Sequence, residues 1–268
     1  MKDIRVNKIK KWFVIHLFIG SAVLSCQKPV NKVESEVETS KKVETMKEKF
    51  TIGKYKVTPL GWSEEGNFAY FLYYDIGDLC GYCPVFAFKV QSIVSDKILY
   101  SKEFDALKEE SEQSEYSLSE IEKSNRALID TQLKKYHIQT KKSFSMESGD
   151  FEHSGKSYSI ELKQKEGTFE GSAMGNDISQ KIISSLQVIL EKKEPGKPGV
   201  QKTVFKHSEK EGDSSHMIGA QYMGYFQSPY EGRIVILLKT NWMSCCFEGT
   251  SETEGVQLIG AHLETGFK

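Results

Sequence analysis

Two pairs of cysteines are the residues in this 268-residue sequence whose type and spacing are best suited to chemistry. Cys80 and Cys83 are separated by a glycine and a tyrosine, and Cys245 and Cys246 are adjacent. Paired cysteines can form disulfide bonds, exchange disulfides with a substrate, or hold a metal ion as thiolates. The compartment of the protein and the elements that carry the thiols decide which chemistry applies.

The N-terminal segment predicts export. Residues 1–25 hold a basic start and an apolar run of thirteen residues from Trp12 to Leu24. As a helix this run rises about 20 Å, too short for a roughly 30 Å hydrocarbon core, so it fits a cleaved signal peptide. Residues 23–26 (Val-Leu-Ser-Cys) resemble a lipobox, where bacterial export machinery lipidates a cysteine and cleaves before it, although the common form has leucine one position earlier. The resemblance implies a lipoprotein anchored through Cys26; the alternative is an ordinary secretory signal.

Residues 26–49 predict a flexible charged tether behind the lipidated cysteine. They alternate Lys and Glu with Val and Ser and show no apolar face, and such a chain spans roughly 25–30 Å. The whole chain has a net charge of −1, and without residues 1–25, which hold five of 36 basic and one of 37 acidic residues, the net charge is −5. This balance gives no basic field for nucleic acid. We expect a bacterial envelope protein on the outer membrane or the periplasmic face of the inner membrane.

Residues 50–268 predict a single, mainly β (α+β) domain built from antiparallel hairpins. Phe68–Tyr74 is an aromatic strand, apolar on both faces and therefore central or covered, and residues 85–94 return beside it as the second strand of a hairpin. One central amphipathic helix is expected within residues 105–135, with Ser117 or Ser119 as its N-cap. Further strands are expected near residues 97–104, 156–165, 168–174 and 200–206. Residues 180–193 suit either a helix or a strand, and the turn at residues 194–199 favours a hairpin with residues 200–206.

An internal echo links two of the predicted hairpins. Residues 65–72 align with residues 231–238: each block has a turn glycine, Gly66 or Gly232, followed by an apolar strand and then by cysteines 13 or 14 residues after the glycine. The echo predicts two equivalent hairpins, arranged in a sandwich or in a degenerate propeller-like sheet.

The position of the cysteines in these hairpins favours a structural role. In an exported protein four cysteines are more often oxidised than free, and the two hairpins could bridge crosswise. Such a bridge closes a loop of about 165 residues and adds roughly 5 kcal/mol in the chain-entropy model, against about 2 kcal/mol for a ring between Cys80 and Cys83. A bond between adjacent Cys245 and Cys246 would be strained. We therefore predict disulfides among Cys80, Cys83, Cys245 and Cys246.

Two further interpretations of the cysteines stay open. Cys80 and Cys83 enclose the same two residues as the active site of some periplasmic disulfide isomerases, which would make the chain a thiol-disulfide oxidoreductase. In that role the motif opens a helix, whereas Pro84 and the alternating residues after it indicate a strand. The four cysteines could also form a zinc site, although adjacent Cys245 and Cys246 are awkward ligands.

The turn-strand blocks around Gly66 and Gly232 resemble the repeated unit of TolB-type propellers. They also resemble a family of predicted secreted bacterial proteins of unknown function, with an N-terminal hairpin, a central helix and a C-terminal segment similar to residues 246–249. That family implies no activity. The sequence contains no complete catalytic constellation, so we expect a non-enzymatic binding module with an unidentified protein or small-molecule ligand. No catalytic residue, cofactor or metal is predicted.

Overall fold

The computed structural model describes residues 49–75, 83–108, 111–141, 143–173, 176–210, 213–230, 232–246 and 249–268. Within these residues the chain forms a mainly β domain, as predicted, in which a helical layer and three antiparallel sheets are stacked in four layers. The predicted segments 1–25 and 26–49 lie outside the described residues, apart from Lys49.

The sheet next to the helices, named the helix-covered sheet, has the order β1-β2-β3-β4-β5, with β8 beside β2. Its strands are β1 (Phe50–Ile52), β2 (Tyr55–Trp62), β3 (Asn67–Asp75), β4 (Pro84–Ser92), β5 (Ile98–Asp105) and β8 (Gln139–Thr140). A separate small hairpin joins β6 (Leu107–Lys108) to β7 (Ser111–Glu115), and the two helices are α1 (Leu118–Ser124) and α2 (Arg126–Lys135).

The other two sheets follow in the second half of the chain. The outer sheet has the order β12-β11-β10-β9 and consists of β9 (Phe151–His153), β10 (Lys156–Ala173), β11 (Asn176–Lys193) and β12 (Val200–Ser208). The middle sheet has the order β13-β14-β15 and consists of β13 (Ser215–Gln227), β14 (Arg233–Cys246) and β15 (Gly249–His262).

β3 is buried on both faces, as its aromatic sequence predicts. Phe68 and Tyr70 point toward the middle sheet, and Ala69 and Phe71 point toward the helices. Side chains of a strand alternate between faces, so a strand that is apolar at every position needs a covering layer on each side. The hairpin β3–β4 is confirmed, with Asn67 opposite Ser92 and Asp75 opposite Pro84.

The predicted helix is present as two consecutive helices. Ser117 is the N-cap of α1 and forms a capping box with Glu120. Asn125 ends α1 because its backbone leaves the helical region, at φ −112° and ψ 17°. Its side-chain amide donates to the carbonyl of Ile121, and α2 begins at the next residue. Leu118 and Ile121 of α1, together with residues of α2, pack on the helix-covered sheet.

β14 is the second strand that is buried on both faces. Ile234, Ile236 and Leu238 pack against the outer sheet, whereas Val235 and Leu237 pack against the helix-covered sheet, and all five are fully buried. The two echoed blocks are therefore equivalent hairpins, β3–β4 and β14–β15, placed in neighbouring stacked sheets. The sandwich alternative describes this arrangement, in which both sheets lie face to face across a shared core.

β10 and β11 form one long hairpin of two 18-residue strands. The sequence predicted a break near residues 165–168, but the chain continues through a β-bulge between Lys165 and Glu166. β11 then pairs with β12, as the predicted turn at residues 194–199 requires. The C-terminal segment closes this edge, because Gln201 and Lys268 exchange two backbone hydrogen bonds of 3.2 and 3.1 Å.

Three side chains of the helix-covered sheet bond to the outer backbone edge of β15. The Tyr55 hydroxyl donates to the Glu254 carbonyl at 2.6 Å, the Gln91 amide donates to the Leu258 carbonyl at 2.7 Å, and the Asp96 carboxylate accepts from the Gly260 N–H at 2.6 Å. The residues 254, 258 and 260 share this edge because alternate residues direct their backbone groups away from β14. These bonds fix how the two sheets stack.

Candidate functional site: a cleft around Lys202

The predicted cysteine sites are only partly within the described residues. Cys26 and Cys80 lie outside them. Cys83 is disulfide-bonded, and its N–H donates to the Asp75 carboxylate at 2.8 Å. Cys245 and Cys246 end β14 opposite Thr250 and Gly249 in register, but their side chains lie outside the described part. The partner of Cys83, and so the crosswise bridge, stays a prediction.

The stacking of the two hairpins brings their cysteine-bearing ends to the same end of the domain. β3 and β14 begin side by side, because Gly66, just before β3, lies directly against the Arg233 side chain at the start of β14. Farther along, the start of β2 contacts Glu254 of β15, so both hairpins extend in one direction. This geometry supports a crosswise bridge without specifying the pairing.

The surroundings of Cys83 differ from those of an activated redox cysteine. The residue after Cys83 begins strand β4, whereas in a disulfide isomerase the motif opens a helix, whose N-terminus activates the first of the two cysteines. For metal binding, no group of three His, Cys, Asp or Glu side chains suited to a metal ion occurs in the described ranges. The oxidoreductase and metal-site interpretations both stay predictions, since they depend on cysteine side chains outside those ranges.

Three concave regions of the described surface differ in their lining residues. One of about 580 Å³ runs along α2 over Leu60 and Ile129, and its rim carries the exposed ion pair of Arg126 and Asp130 at 2.7 Å. Another, of about 260 Å³, lies between the helix-covered sheet and the small hairpin. The third, of about 380 Å³, lies where all three sheets approach one another. It alone of the three contains a half-buried cation with a strongly shifted pKa, and we name it the Lys202 cleft.

The Lys202 cleft is formed by the turn after β4, strand β12 and the end of β15. Its apolar wall consists of Ile93, Val94, Val204 and Ala261, and its polar groups come from Asp96, Lys202, Arg233 and His262. These residues are far apart in the sequence and meet through the stacking of the sheets. A concave cleft in which several polar groups converge beside apolar side chains can hold a small molecule.

Lys202 carries a cation that the fold has partly removed from water. Its ammonium donates to the carbonyl oxygens of His262 and Thr265, the latter at 2.8 Å, and lies 4.7 Å from the centre of the Phe267 ring. Burial, and secondarily the nearby charge of Lys192, lowers the pKa of Lys202 to about 8. No carboxylate among the described residues forms an ion pair with it.

Asp96 supplies the opposite charge in the same cleft. Its backbone is in the left-handed region at φ 55°, which places the carboxylate over the Gly260 N–H. Burial raises the pKa of Asp96, and the hydrogen bond from Gly260 opposes that shift. Gly260 has to be glycine here, because a Cβ would overlap the backbone of Ile93.

Arg233 and His262 complete the polar lining as cross-strand partners of β14 and β15. The His262 Nδ1 accepts from the Glu264 N–H at 3.0 Å, so its Nε2 carries the hydrogen of the neutral ring. The cleft thus presents cationic groups, a carboxylate and an imidazole beside an apolar wall. It can bind a small ligand by hydrogen bonds and charge.

Sequence reasoning missed a second polar group, His207, Glu209 and His216. The buried His216 ring bonds to the Glu209 carboxylate and stacks on Phe169 at 4.0 Å, and the His207 ring lies edge-on to Trp242 at 5.3 Å. The buried Nε2 of His207 lies 3.6 Å from one Glu209 oxygen, just beyond hydrogen-bond distance, and the buried Nε2 of His216 has no hydrogen-bond partner. The short spacing of His207, near the end of β12, and Glu209, just after it, was the available signal.

The fold and the cleft define a class: a mainly β protein of stacked antiparallel sheets with a partly buried cation in an open cleft. Comparison with family models, curated proteins and solved structures gives no match. The resemblance to secreted bacterial proteins with TolB-type units therefore stays a prediction. In the described part of the chain, no helix has the length and apolar character needed to cross a bilayer.

Proposed function

We propose that this chain is a lipid-anchored protein of the bacterial cell envelope that acts as a non-enzymatic binding module, with the Lys202 cleft as its ligand site. The anchor is supported by the sequence of residues 1–25, the lipobox-like residues before Cys26 and the charged tether that follows. The ligand site is supported by one observation above the others, the half-buried Lys202 ammonium without a carboxylate partner among the described residues.

A partly desolvated cation favours an anionic ligand group. Removing water from an ammonium is unfavourable unless other groups replace the hydration, and two carbonyl oxygens replace it only in part. An anion in the cleft would form a charge-assisted hydrogen bond with the remaining N–H of Lys202. The cleft therefore takes a small ligand through an anionic group, while Val94 and Val204 contact its apolar part.

The binding proposal is tested by titrating the full-length protein with acetate and following the side-chain NMR signals of ¹³C-labelled lysine. We expect the Lys202 signal to move with saturation, and its pKa to rise from about 8 because an anion stabilises the charged form. Lys206→Met is the matched control, since Lys206 is exposed on the same strand. Lys202→Met should abolish the response and Lys206→Met should retain it. A Lys202 signal that stays unchanged over millimolar acetate contradicts the proposed site.

The anchor is tested by Cys26→Ser. The natural protein should fractionate with membranes and carry a diacylglyceryl-modified cysteine at its new N-terminus, detectable by mass spectrometry. The variant should lose this modification, because serine has no thiol to carry the diacylglyceryl group. It should also leave the membrane fraction, because the two acyl chains that hold the protein there are missing. An unmodified N-terminus at another residue in the natural protein would contradict the anchor.

A further inference from the structure

We propose that the ligand of the Lys202 cleft is zwitterionic, a free amino acid or a short peptide with unblocked ends; this inference rests on the proposed function. Its carboxylate would bind Lys202 and its ammonium would bind Asp96. The observation that carries the inference is that cations, Lys202 and Arg233, and a carboxylate, Asp96, line one cleft, and that no ion pair joins Lys202 to Asp96 in the described structure.

The two charges are held apart by different layers. Asp96 belongs to the turn after β4 and is fixed by its bond to Gly260, whereas Lys202 belongs to β12 and is fixed by the carbonyl oxygens of His262 and Thr265. Lys202 is partly buried, Asp96 lies at the exposed edge, and both line the cleft. No ion pair between them occurs in the described structure, although each would be stabilised by an opposite charge.

A ligand with one charge satisfies only half of this arrangement. A simple anion binds Lys202 but faces the Asp96 carboxylate, and a simple amine binds Asp96 but faces Lys202. A zwitterion places an opposite charge beside each group. The cleft volume of about 380 Å³ is within the range of small-molecule sites, and Val94 and Val204 offer an apolar surface for a side chain.

Four probes separate these possibilities on the full-length natural protein by isothermal titration calorimetry. L-alanine and L-alanyl-L-alanine carry both charges, N-acetyl-L-alanine carries only the carboxylate, and L-alaninamide carries only the amine. We expect at least one of the unblocked probes to bind about tenfold or more tightly than either blocked one, the effect of one charge-assisted hydrogen bond. Equal affinity for L-alanine, its dipeptide and N-acetyl-L-alanine overturns the zwitterion inference and leaves the anion-binding proposal intact. Binding by none of the four overturns both.

Two variants assign the charges to residues. Asp96→Asn keeps an oxygen acceptor for the Gly260 N–H and removes the negative charge. The affinity for the preferred unblocked probe should therefore fall to the level of N-acetyl-L-alanine. The affinity for N-acetyl-L-alanine should not fall. Lys202→Met should abolish binding of N-acetyl-L-alanine, while the exposed control Lys206→Met changes neither affinity. An Asp96→Asn protein that retains the preference for unblocked probes overturns the inference. If a variant folds poorly, the comparison of blocked and unblocked probes on the natural protein still tests the inference.

Discussion

β3 and β14 share one sequence pattern but are covered by different layers. β3 lies between helices and the middle sheet, and its buried residues are mostly aromatic; β14 lies between two sheets, and its buried residues Ile234–Leu238 are all aliphatic. Both follow a turn glycine and both are apolar at every central position. An apolar run therefore predicts burial on two faces, but it does not predict whether a helix or a sheet covers each face.

The largest change in stability is expected from reducing the disulfide bonds at the ends of these two hairpins. If a bridge joins the β3–β4 end to the β14–β15 end, reduction should lower the free energy of unfolding by about 5 kcal/mol, whereas a ring between Cys80 and Cys83 should cost about 2 kcal/mol. Urea unfolding with and without dithiothreitol measures the difference. A non-reducing peptide map with early alkylation gives the pairing, and a peptide containing only the Cys80–Cys83 bond would exclude the crosswise bridge.

A smaller loss of stability is expected when a buried leucine is truncated, and two such variants compare the helix cover with the sheet cover. Leu60 faces the helices and Leu237 lies between two sheets, and both are buried. We expect Leu237→Ala to cost about 4 kcal/mol and Leu60→Ala about 3 kcal/mol, because short helices can move into a cavity more easily than a strand bonded on both sides. Denaturant unfolding measures both, with the exposed Thr168→Ala as a control near zero. A larger loss for Leu60→Ala would show that helices are the less adaptable cover.

The smallest change in stability is expected from the ionisation of Lys202, which lies at the rim of the core around β14. Its pKa is lowered to about 8 in the folded protein from 10.5, so the unfolded chain binds more protons between these values. Stability should therefore rise with pH across this window relative to Lys202→Met, by on the order of 1 kcal/mol because the ammonium is half exposed. Thermal or urea unfolding from pH 7.5 to 10 tests this, and the difference from the variant cancels ionisation of other groups. Parallel curves for the two proteins would contradict the lowered pKa.

Local features of the fold were predictable from the sequence, because local interactions determine them. Strand β3 follows from its apolar run after the turn glycine Gly66, the N-cap at Ser117 follows from its partner Glu120, and the β11–β12 hairpin follows from the turn at residues 194–199. The end of α1 at Asn125 was missed, since its side-chain bond competes locally with a continuous helix.

The Lys202 cleft was not predictable in the same way. Asp96, Lys202 and Arg233 each resemble ordinary surface residues in the sequence, and they meet only because three sheets stack at one place. No motif or spacing encodes such a stack. The cysteine pairs were visible because their chemistry depends on residue type, whereas the cleft depends on burial that only the tertiary structure provides.

The bonds from Tyr55, Gln91 and Asp96 to the edge of β15 have a consequence for self-association. An uncovered strand edge is a template for the strand of another molecule, and these side chains occupy that template in the folded protein. The edge becomes available only when the helix-covered sheet separates from the middle sheet. A partly opened form is thus the species from which intermolecular strand addition would begin, and the rate of aggregation should follow the rate of that opening rather than the concentration of intact protein alone.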